Sequence, residues 1–204
     1  MKLMPAERWN HILIACGVKP ITAAKWSIVF EDVVSDRTFS KGNADLQAFL
    51  GQILHESEML EHLSERMSYS APRLMVVWPT RFPTIESTVG YVGNPEALAN
   101  KVYGGRYGNT EPGDGWLYRA RGPLGLTFKD NYEFVGDLMG QDLVGLPGLM
   151  EQPRYALEGC ILWWEDKVPD SMLGDVEKQT RIVNGGKNGL VERKRLVGLA
   201  GMSL

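Results

Sequence analysis

A glutamate on the edge of an apolar helix face is the feature of this sequence best suited to chemistry. Residues 45–70 repeat apolar side chains at three- and four-residue steps, which predicts an amphipathic helix with a stripe centred near Ile53. Glu56 falls at the margin of that stripe, whereas His55 and Glu58 point elsewhere. Apolar neighbours disfavour a carboxylate, so we expect a raised pKa for Glu56, as a general acid near neutral pH requires. A glutamate that packs its stem and keeps its head in water is the alternative, and the helix alone favours it.

The same helix argues against a metal-dependent peptidase. Residues 55–57 read His-Glu-Ser, without the second histidine four positions on that a zinc peptidase helix carries. The chain has three histidines and two cysteines, and Cys16 and Cys160 lie in apolar helical contexts typical of buried free thiols. We therefore expect no metal site, and the acid–base chemistry described below needs no cofactor.

Length and composition indicate one globular domain. The chain has 204 residues, of which 44% are hydrophobic and 23% charged, with a formal net charge of −3. This mildly acidic balance argues against a nucleic-acid partner. No apolar run approaches the ~20 residues that cross a bilayer, so we expect no membrane insertion. Charged and polar residues interrupt the apolar residues of segment 1–17, so we expect no signal peptide and a protein made in a cytoplasm.

The pattern of apolar residues and caps predicts a mainly helical chain. Thr22 is the expected N-cap of the second helix, and Asn43 or Asp45 that of the helix bearing Glu56. Apart from that helix and a short one after Ser70, we expect helices over residues 5–16, 23–37, 95–103, 153–168, 175–184 and 190–200. The dipeptide Gly185-Gly186 predicts a helix stop that leaves the amide of Asn184 free for a ligand.

The least regular part of the chain has the composition of a binding groove. Residues 104–125 contain seven glycines, and Trp116, Tyr118, Arg119 and Arg121 lie among them. Aromatic faces and planar arginine donors suit sugar rings and their hydroxyl groups. An ordinary surface loop is the alternative.

Several stretches, taken together, resemble glycoside hydrolase family 19, in the branch formed by phage endolysins and related bacterial enzymes. In chain order they are FLGQILHES, LSERMSYSAPRLMVVWPTRFPT, NPEALANKVYGGRYGN, GDGWLYRARGPLGLT, NY and IVNGG. The resemblance covers residues 20–190. It implies an α+β, predominantly α-helical fold of the lysozyme-like superfamily, with a substrate groove between helical lobes. It also implies a single catalytic domain over residues 1–204, with no separate wall-binding module.

The resemblance assigns roles that the residues alone do not. Glu56 matches the family's general acid and Glu65 its general base, which would stay ionised in a polar loop and activate water in an inverting reaction. Without the resemblance, Glu65 reads as a solvated charge. Thr127 matches the hydroxyl residue that helps to hold the attacking water. The positions that match substrate-binding residues are Tyr118, Arg121, Asn131, Tyr132 and Asn184.

The implied activity is that of an endolysin that cleaves the β-1,4 bond between N-acetylmuramic acid and N-acetylglucosamine in peptidoglycan. A chitinase is the nearest alternative, and the absence of a signal peptide favours the lytic role. A wall-binding protein without catalysis is a third possibility, because Gly125 stands where the family usually has glutamine. We expect a monomer that stays in the host cytoplasm until a holin-type partner lets it reach the cell wall in the periplasm.

The spacing of the two glutamates makes a geometric prediction. An unbroken α-helix would turn ~2.5 times between Glu56 and Glu65 and place them on opposite faces. The helix must therefore stop, and we expect the break between His62 and Ser64, after which the chain folds back. An inverting reaction needs room for water between carboxyl groups roughly 6.5–9.5 Å apart.

Overall fold

The structure is a computed structural model that describes residues 4–204. Its α-helices are α1 (Ala6–Ala15), α2 (Pro20–Val33), α3 (Asn43–Glu56), α4 (Ala71–Val77), α5 (Pro95–Tyr103), α6 (Asp114–Leu117), α7 (Lys129–Met139), α8 (Pro153–Lys167), α9 (Val176–Asn184) and α10 (Leu190–Ser203). Short 3₁₀ helices span Glu86–Thr88, Pro147–Glu151 and Asp170–Met172. Over the described residues, β pairing is limited to two isolated bridges, in which Arg121 pairs with Ser64 and with Leu126. The predominantly helical fold is confirmed, and its β component is reduced to these bridges.

Helix α3 lies at the centre of the largest hydrophobic core. Its apolar residues Leu46, Phe49, Leu50, Ile53 and Leu54 are buried against α1, α2, α8 and α10 side chains. Helix α10 packs along α3 so closely that a Cβ atom at position 51 would meet the Val197 side chain and the α10 backbone. The glycine at position 51 therefore sets the distance between the helix that ends at Glu56 and α10.

Two smaller hydrophobic clusters complete the fold. One joins α4 and α5 through the buried residues Met67, Leu74, Phe82, Leu98, Ala99 and Val102. The other surrounds α7 and consists of Tyr118, Leu126, Tyr132, Val135, Leu143 and Met150. Segment 57–70 leads from the large core at Leu60 into the first of these clusters at Met67, and Tyr118 and Leu126 belong to the second. A cleft lies where segment 57–70 meets residues 120–125.

Most of the helices expected from the sequence are present, with three notable corrections. Helix α3 begins at Asn43 with Gly42 in the N-cap position, so neither Asn43 nor Asp45 caps it. Helix α2 begins at Pro20, not after Thr22, because proline is favourable in a first helical turn. The hydroxyl of Thr22 instead donates a hydrogen bond to the carboxylate of Glu61. Helix α7 was not predicted as an element, because it directly follows the glycine-rich segment. Over residues 4–204, no helix is both long and apolar enough to cross a membrane.

A pair of carboxyl groups, one buried and one partly buried, links α3 to α8. Asp45 is 3% exposed and accepts hydrogen bonds from the indole of Trp164 at 2.6 Å and from the hydroxyl of Ser40 at 3.1 Å. Glu165 accepts from the peptide N–H of Ser40 at 3.0 Å, and its other carboxyl oxygen is buried without a partner. Burial and the neighbouring Asp45 raise the pKa of Glu165 to about 7. Lys41, the residue after Ser40, forms an ion pair with Asp170. A proton on Glu165 satisfies the buried oxygen and removes repulsion between the pair.

We expect the stability of the protein to fall as the pH rises from about 4.5 to about 7. The pKa of Glu165 is higher in the folded state than in the unfolded state, so the folded state binds the proton more tightly. This proton binding stabilises the folded state at low pH, and the stabilisation is lost as the pH rises through the folded pKa. For a half-buried carboxyl the effect should be on the order of 1 kcal/mol, or roughly 2–4 °C in Tm. Thermal unfolding between pH 5 and pH 8 measures it. Glu165→Gln should flatten the dependence of Tm on pH. Asp137→Asn, at an exposed position of α7, is the control and should leave that dependence unchanged. Equal slopes of Tm against pH in the wild-type protein and both variants would contradict the prediction.

Candidate active site

The chain reverses direction immediately after Glu56. Helix α3 ends at Glu56, and the next residues, Glu58, Met59 and Leu60, adopt left-handed conformations with φ of 49°, 63° and 65°. The predicted fold-back is confirmed, but the predicted position of the break, between His62 and Ser64, is wrong. The helix ends earlier because this left-handed turn, not a break at Ser64, takes the chain out of the helix.

Backbone pairing places Glu65 against the glycine-rich segment. The peptide N–H of Glu65 donates to the carbonyl of Ala120 at 3.0 Å, and that of Gly122 donates to the carbonyl of Leu63 at 2.9 Å. The bridge between Ser64 and Arg121 lies between these two bonds. Glu65 is therefore held in register on the turn formed by residues 119–126.

Glu56 and Glu65 line the same open cleft. It has a volume of about 530 Å³, and its walls include Glu56, Ser64, Glu65, Tyr69, Ala120 and Gly125. The two carboxylates that the resemblance pairs thus face one solvent-filled space, large enough for a sugar ring. Their expected separation of roughly 6.5–9.5 Å stays a prediction.

The surroundings of Glu65 differ from the polar loop that we expected. Burial raises the pKa of Glu65, and hydrogen bonds to its carboxylate lower it only in part. The hydroxyl of Tyr103 donates to Oε2 at 2.8 Å, and that of Tyr69 reaches Oε1 at 3.5 Å. A base whose pKa is closer to the working pH accepts a proton more readily, so this setting suits proton abstraction from water.

The surroundings of Glu56 also differ from those expected. Its carboxylate accepts a hydrogen bond from Arg193 of α10, so a cation and not only an apolar stripe faces it. Arg193 is 1% exposed. Its guanidinium also donates to Gln52 Oε1 at 2.6 Å and to the carbonyl of Asn188 at 3.0 Å. Because Gln52 and Asn188 hold the guanidinium in place, it in turn fixes the position of the Glu56 carboxylate. A quarter of the Glu56 side chain remains exposed.

Sequence reasoning missed Arg193, as it missed Tyr69 and Tyr103 beside Glu65. Arg193 lies in the charged run Glu-Arg-Lys-Arg of residues 192–195, which looks like the solvated face of a terminal helix. Arg195 does form a surface pair with Glu192, whereas Arg193 turns inward. The one available signal was the position of Arg193 three residues before Leu196, which is on the buried side of the helix.

Three of the predicted substrate-binding residues are buried, so direct contact with substrate does not fit their positions. Tyr118 is 3% exposed and donates to the carbonyl of Val144 at 3.2 Å. Arg121 is 5% exposed and donates to Glu151 Oε1 at 2.6 Å and to the hydroxyl of Tyr132 at 3.0 Å. Tyr132 is fully buried. These side chains hold the turn on which Glu65 is registered.

Thr127 and Asn131 lie beside the cleft but line a different cavity. The hydroxyl of Thr127 donates to the carbonyl of Gly125 at 2.7 Å, and the amide of Asn131 donates to the carbonyl of Thr127 at 2.7 Å. Both line an apolar cavity of about 270 Å³, whose other walls include Trp163 and Val183. Gly125 lines both spaces, so the position where glutamine was expected is the point where they adjoin.

The amide of Asn184 is not free, contrary to the sequence prediction. Its nitrogen donates to the carbonyl of Asn188 at 3.2 Å, and its oxygen accepts from the peptide N–H of Gly186 at 2.9 Å. The same carbonyl of Asn188 accepts from Arg193. Asn184 therefore closes the loop that supports the cation beside Glu56.

Comparison with known proteins identifies the class. The chain is 34% identical over 152 residues to a glycosyl hydrolase family 19 domain-containing protein of Haemophilus influenzae, covering 72% of this chain and 74% of that protein. Chitinase 11 of Oryza sativa subsp. japonica is 44% identical over 48 residues, which are 23% of this chain and 19% of the rice protein. Chitinase C from Streptomyces griseus has the same fold, with a TM-score of 0.61 at 16% identity over 98% of this chain and 92% of that one. No profile of a known protein family matches.

A predominantly helical fold, a cleft lined by two carboxylates and a relative of this kind define a glycoside hydrolase. The match to the Haemophilus influenzae protein is long enough to assign the family of this chain as well. The chain belongs to glycosyl hydrolase family 19.

Proposed function

We propose that this protein is an endolysin that hydrolyses the β-1,4 bond between N-acetylmuramic acid and N-acetylglucosamine in peptidoglycan, with inversion at the anomeric carbon. The observation that carries the proposal is the single cleft that holds Glu56 beside a buried cation and Glu65 beside tyrosine hydroxyls. The sequence resemblance to phage endolysins supports this substrate.

Two arginines beside Glu65 offer contacts to an anionic glycan. Arg66 lines the cleft, and Arg119 lies with Trp116 in the groove that continues from it past Glu65. The guanidinium of Arg119 stacks on the Trp116 ring, 3.8 Å from the ring centroid. Carboxylates line the same walls, among them Glu58, Glu61 and Glu151, and Glu151 pairs with Arg119. The local charge therefore does not by itself distinguish anionic peptidoglycan from uncharged chitin.

In the proposed mechanism, Glu56 gives a proton to the departing glycosidic oxygen and Glu65 takes one from the attacking water. The contact with Arg193 fixes one carboxyl oxygen of Glu56, so the other is the oxygen available to the substrate. Glu65 must be ionised before each turnover, so activity should fall on the acid side as Glu65 becomes protonated.

A chitinase is the second candidate, since the rice and Streptomyces griseus proteins are chitinases by name. Purified peptidoglycan and chitin oligomers, offered separately to the protein, distinguish the two activities by the release of reducing ends. The endolysin proposal expects reducing ends and loss of turbidity from peptidoglycan, without new amino groups. Faster release from chitin would favour the chitinase, and binding to the wall without product would favour a non-catalytic protein.

We expect Tyr103→Phe to move the acid limb of the pH–activity profile to higher pH, by roughly 1 pH unit. The Tyr103 hydroxyl stabilises the Glu65 carboxylate and so lowers its pKa, and its loss leaves burial to raise the pKa further. The phenylalanine ring keeps the packing against Phe128. The measurement is kcat/KM for glycan hydrolysis between pH 4 and pH 9.

Tyr69→Phe is the matched control for this prediction. The Tyr69 hydroxyl is 3.5 Å from Glu65, too far for a strong hydrogen bond, so the limb should move less. An unchanged limb in Tyr103→Phe, or a larger shift in Tyr69→Phe, would remove Tyr103 as the main support of the carboxylate.

We also propose that the protein acts as a monomer, accumulates in the host cytoplasm and reaches the cell wall after a holin-type partner opens the membrane. Expressed alone in a Gram-negative cell, it should cause little lysis until chloroform permeabilises the inner membrane. The optical density of the culture before and after chloroform measures this. Prompt lysis without chloroform would show that the chain reaches the wall by another route.

A further inference from the structure

The chain between the two carboxylates takes an unusual path. Glu58, Met59 and Leu60 are all left-handed, although none of them is glycine. This conformation is disfavoured for L-residues because Cβ crowds the following carbonyl oxygen, so three in succession need specific support. The ordinary alternative for these residues is a right-handed helix that continues α3.

Ser57 provides that support from a buried position. Its side chain is 1% exposed, and its hydroxyl donates to the carbonyl of Ile53 at 2.6 Å and accepts from the peptide N–H of Leu60 at 2.8 Å. The carbonyl of Leu60 accepts from the indole of Trp26 at 3.3 Å, and the Leu60 side chain lies in the large core. The hydroxyl thus joins the last turn of α3 to the end of the left-handed segment.

The direction of this segment decides where Glu65 lies. If α3 continued through the segment as a right-handed helix, Glu65 would lie roughly 13.5 Å from Glu56 along the helix axis. It would then lose its backbone hydrogen bond to Ala120. We propose that Ser57 is a positioning residue, whose hydroxyl selects the left-handed turn and thereby holds Glu65 in the cleft opposite Glu56. The inference rests on the roles proposed for Glu56 and Glu65 in glycan hydrolysis.

Ser57→Ala removes the hydroxyl and leaves the peptide N–H of Leu60 without its partner. We expect kcat to fall at least 10-fold, a larger factor than the rise in KM, because the base is displaced while the wall formed by Ala120, Gly122 and Gly125 remains. A loss of global stability alone would not change kcat measured well below the melting temperature. Ser57→Thr keeps a hydroxyl at the same position and should retain most of the activity.

A second readout does not depend on hydrolysis. Carbon-13 NMR titration of the Glu65 carboxyl should show a raised pKa in the wild-type protein, because the group is buried. In Ser57→Ala the pKa should return toward the ordinary value of a solvated glutamate, and in Ser57→Thr it should stay raised. If the wild-type protein cleaves no glycan, the proposed function fails, and the titration still decides whether Ser57 places Glu65.

A glycine on the turn provides a rescue experiment. Glu58→Gly relieves the crowding at one left-handed position, since glycine has no Cβ. In the Ser57→Ala background, Glu58→Gly should raise kcat and the pKa of Glu65 toward their wild-type values. In the wild-type background, the same substitution should change kcat and the pKa of Glu65 less. It also supplies a folded variant if Ser57→Ala alone unfolds. Wild-type kcat and an unchanged Glu65 titration in folded Ser57→Ala would overturn the proposal, as would the absence of any rescue by glycine.

Discussion

Glu56→Gln should lower the rate of glycan hydrolysis by about 100-fold or more, because a positioned general acid contributes at least that factor. The glutamine amide has the size of the carboxyl group and keeps an oxygen that can accept from Arg193, but it has no proton to give to the leaving oxygen. The fold should therefore persist while catalysis is lost. The measurement is the initial rate of reducing-end release, together with a thermal unfolding curve.

Glu133→Gln is the matched control for this substitution. Glu133 is exposed on α7, outside the cleft, so its neutralisation should change neither the rate nor the unfolding curve. Glu56→Gln that keeps more than about a tenth of the wild-type rate would remove Glu56 from the proposed mechanism. A large loss of stability would instead mean that the pair with Arg193 needs a full negative charge.

Arg193→Met should affect both catalysis and stability, which distinguishes it from the substitution of Glu56. It leaves the Glu56 carboxylate without its cation and Gln52 without its donor, in a region where Arg193 itself is fully buried. Loss of this donor leaves the buried side-chain oxygen of Gln52 unsatisfied, which costs about 1–3 kcal/mol, so a fall in Tm is expected. The rate should also fall, because the Glu56 carboxyl is no longer oriented toward the leaving oxygen.

Arg195→Met, two residues further along α10, is the control for Arg193. Arg195 pairs with Glu192 on the surface, and such a pair contributes at most about 1 kcal/mol. The two variants remove the same charge from the same helix, so any difference between them reports the buried contacts of Arg193. Similar unfolding curves and rates for both would contradict the positioning role of Arg193.

The sequence by itself determined the helical class of the fold and proposed, through the resemblance, the two carboxylates. Apolar periodicity places most helices correctly, since the burial of one helix face is a local pattern. Asn94 caps α5 as expected, because a side-chain cap needs only residues close in sequence. The nine-residue spacing of Glu56 and Glu65 required a reversal of the chain, and the chain reverses.

Only the tertiary structure decided the surroundings of those two carboxylates. The cation beside Glu56 comes from α10, 137 residues along the chain, and the hydroxyl that holds Glu65 comes from α5, 38 residues away. The burial of Arg121 and Tyr132 likewise depends on contacts between separate elements. Charge, burial and hydrogen bonding at a side chain depend on every element packed against it. A resemblance between motifs can therefore propose a carboxylate for catalysis, but the environment of that carboxylate is determined only once the chain has folded.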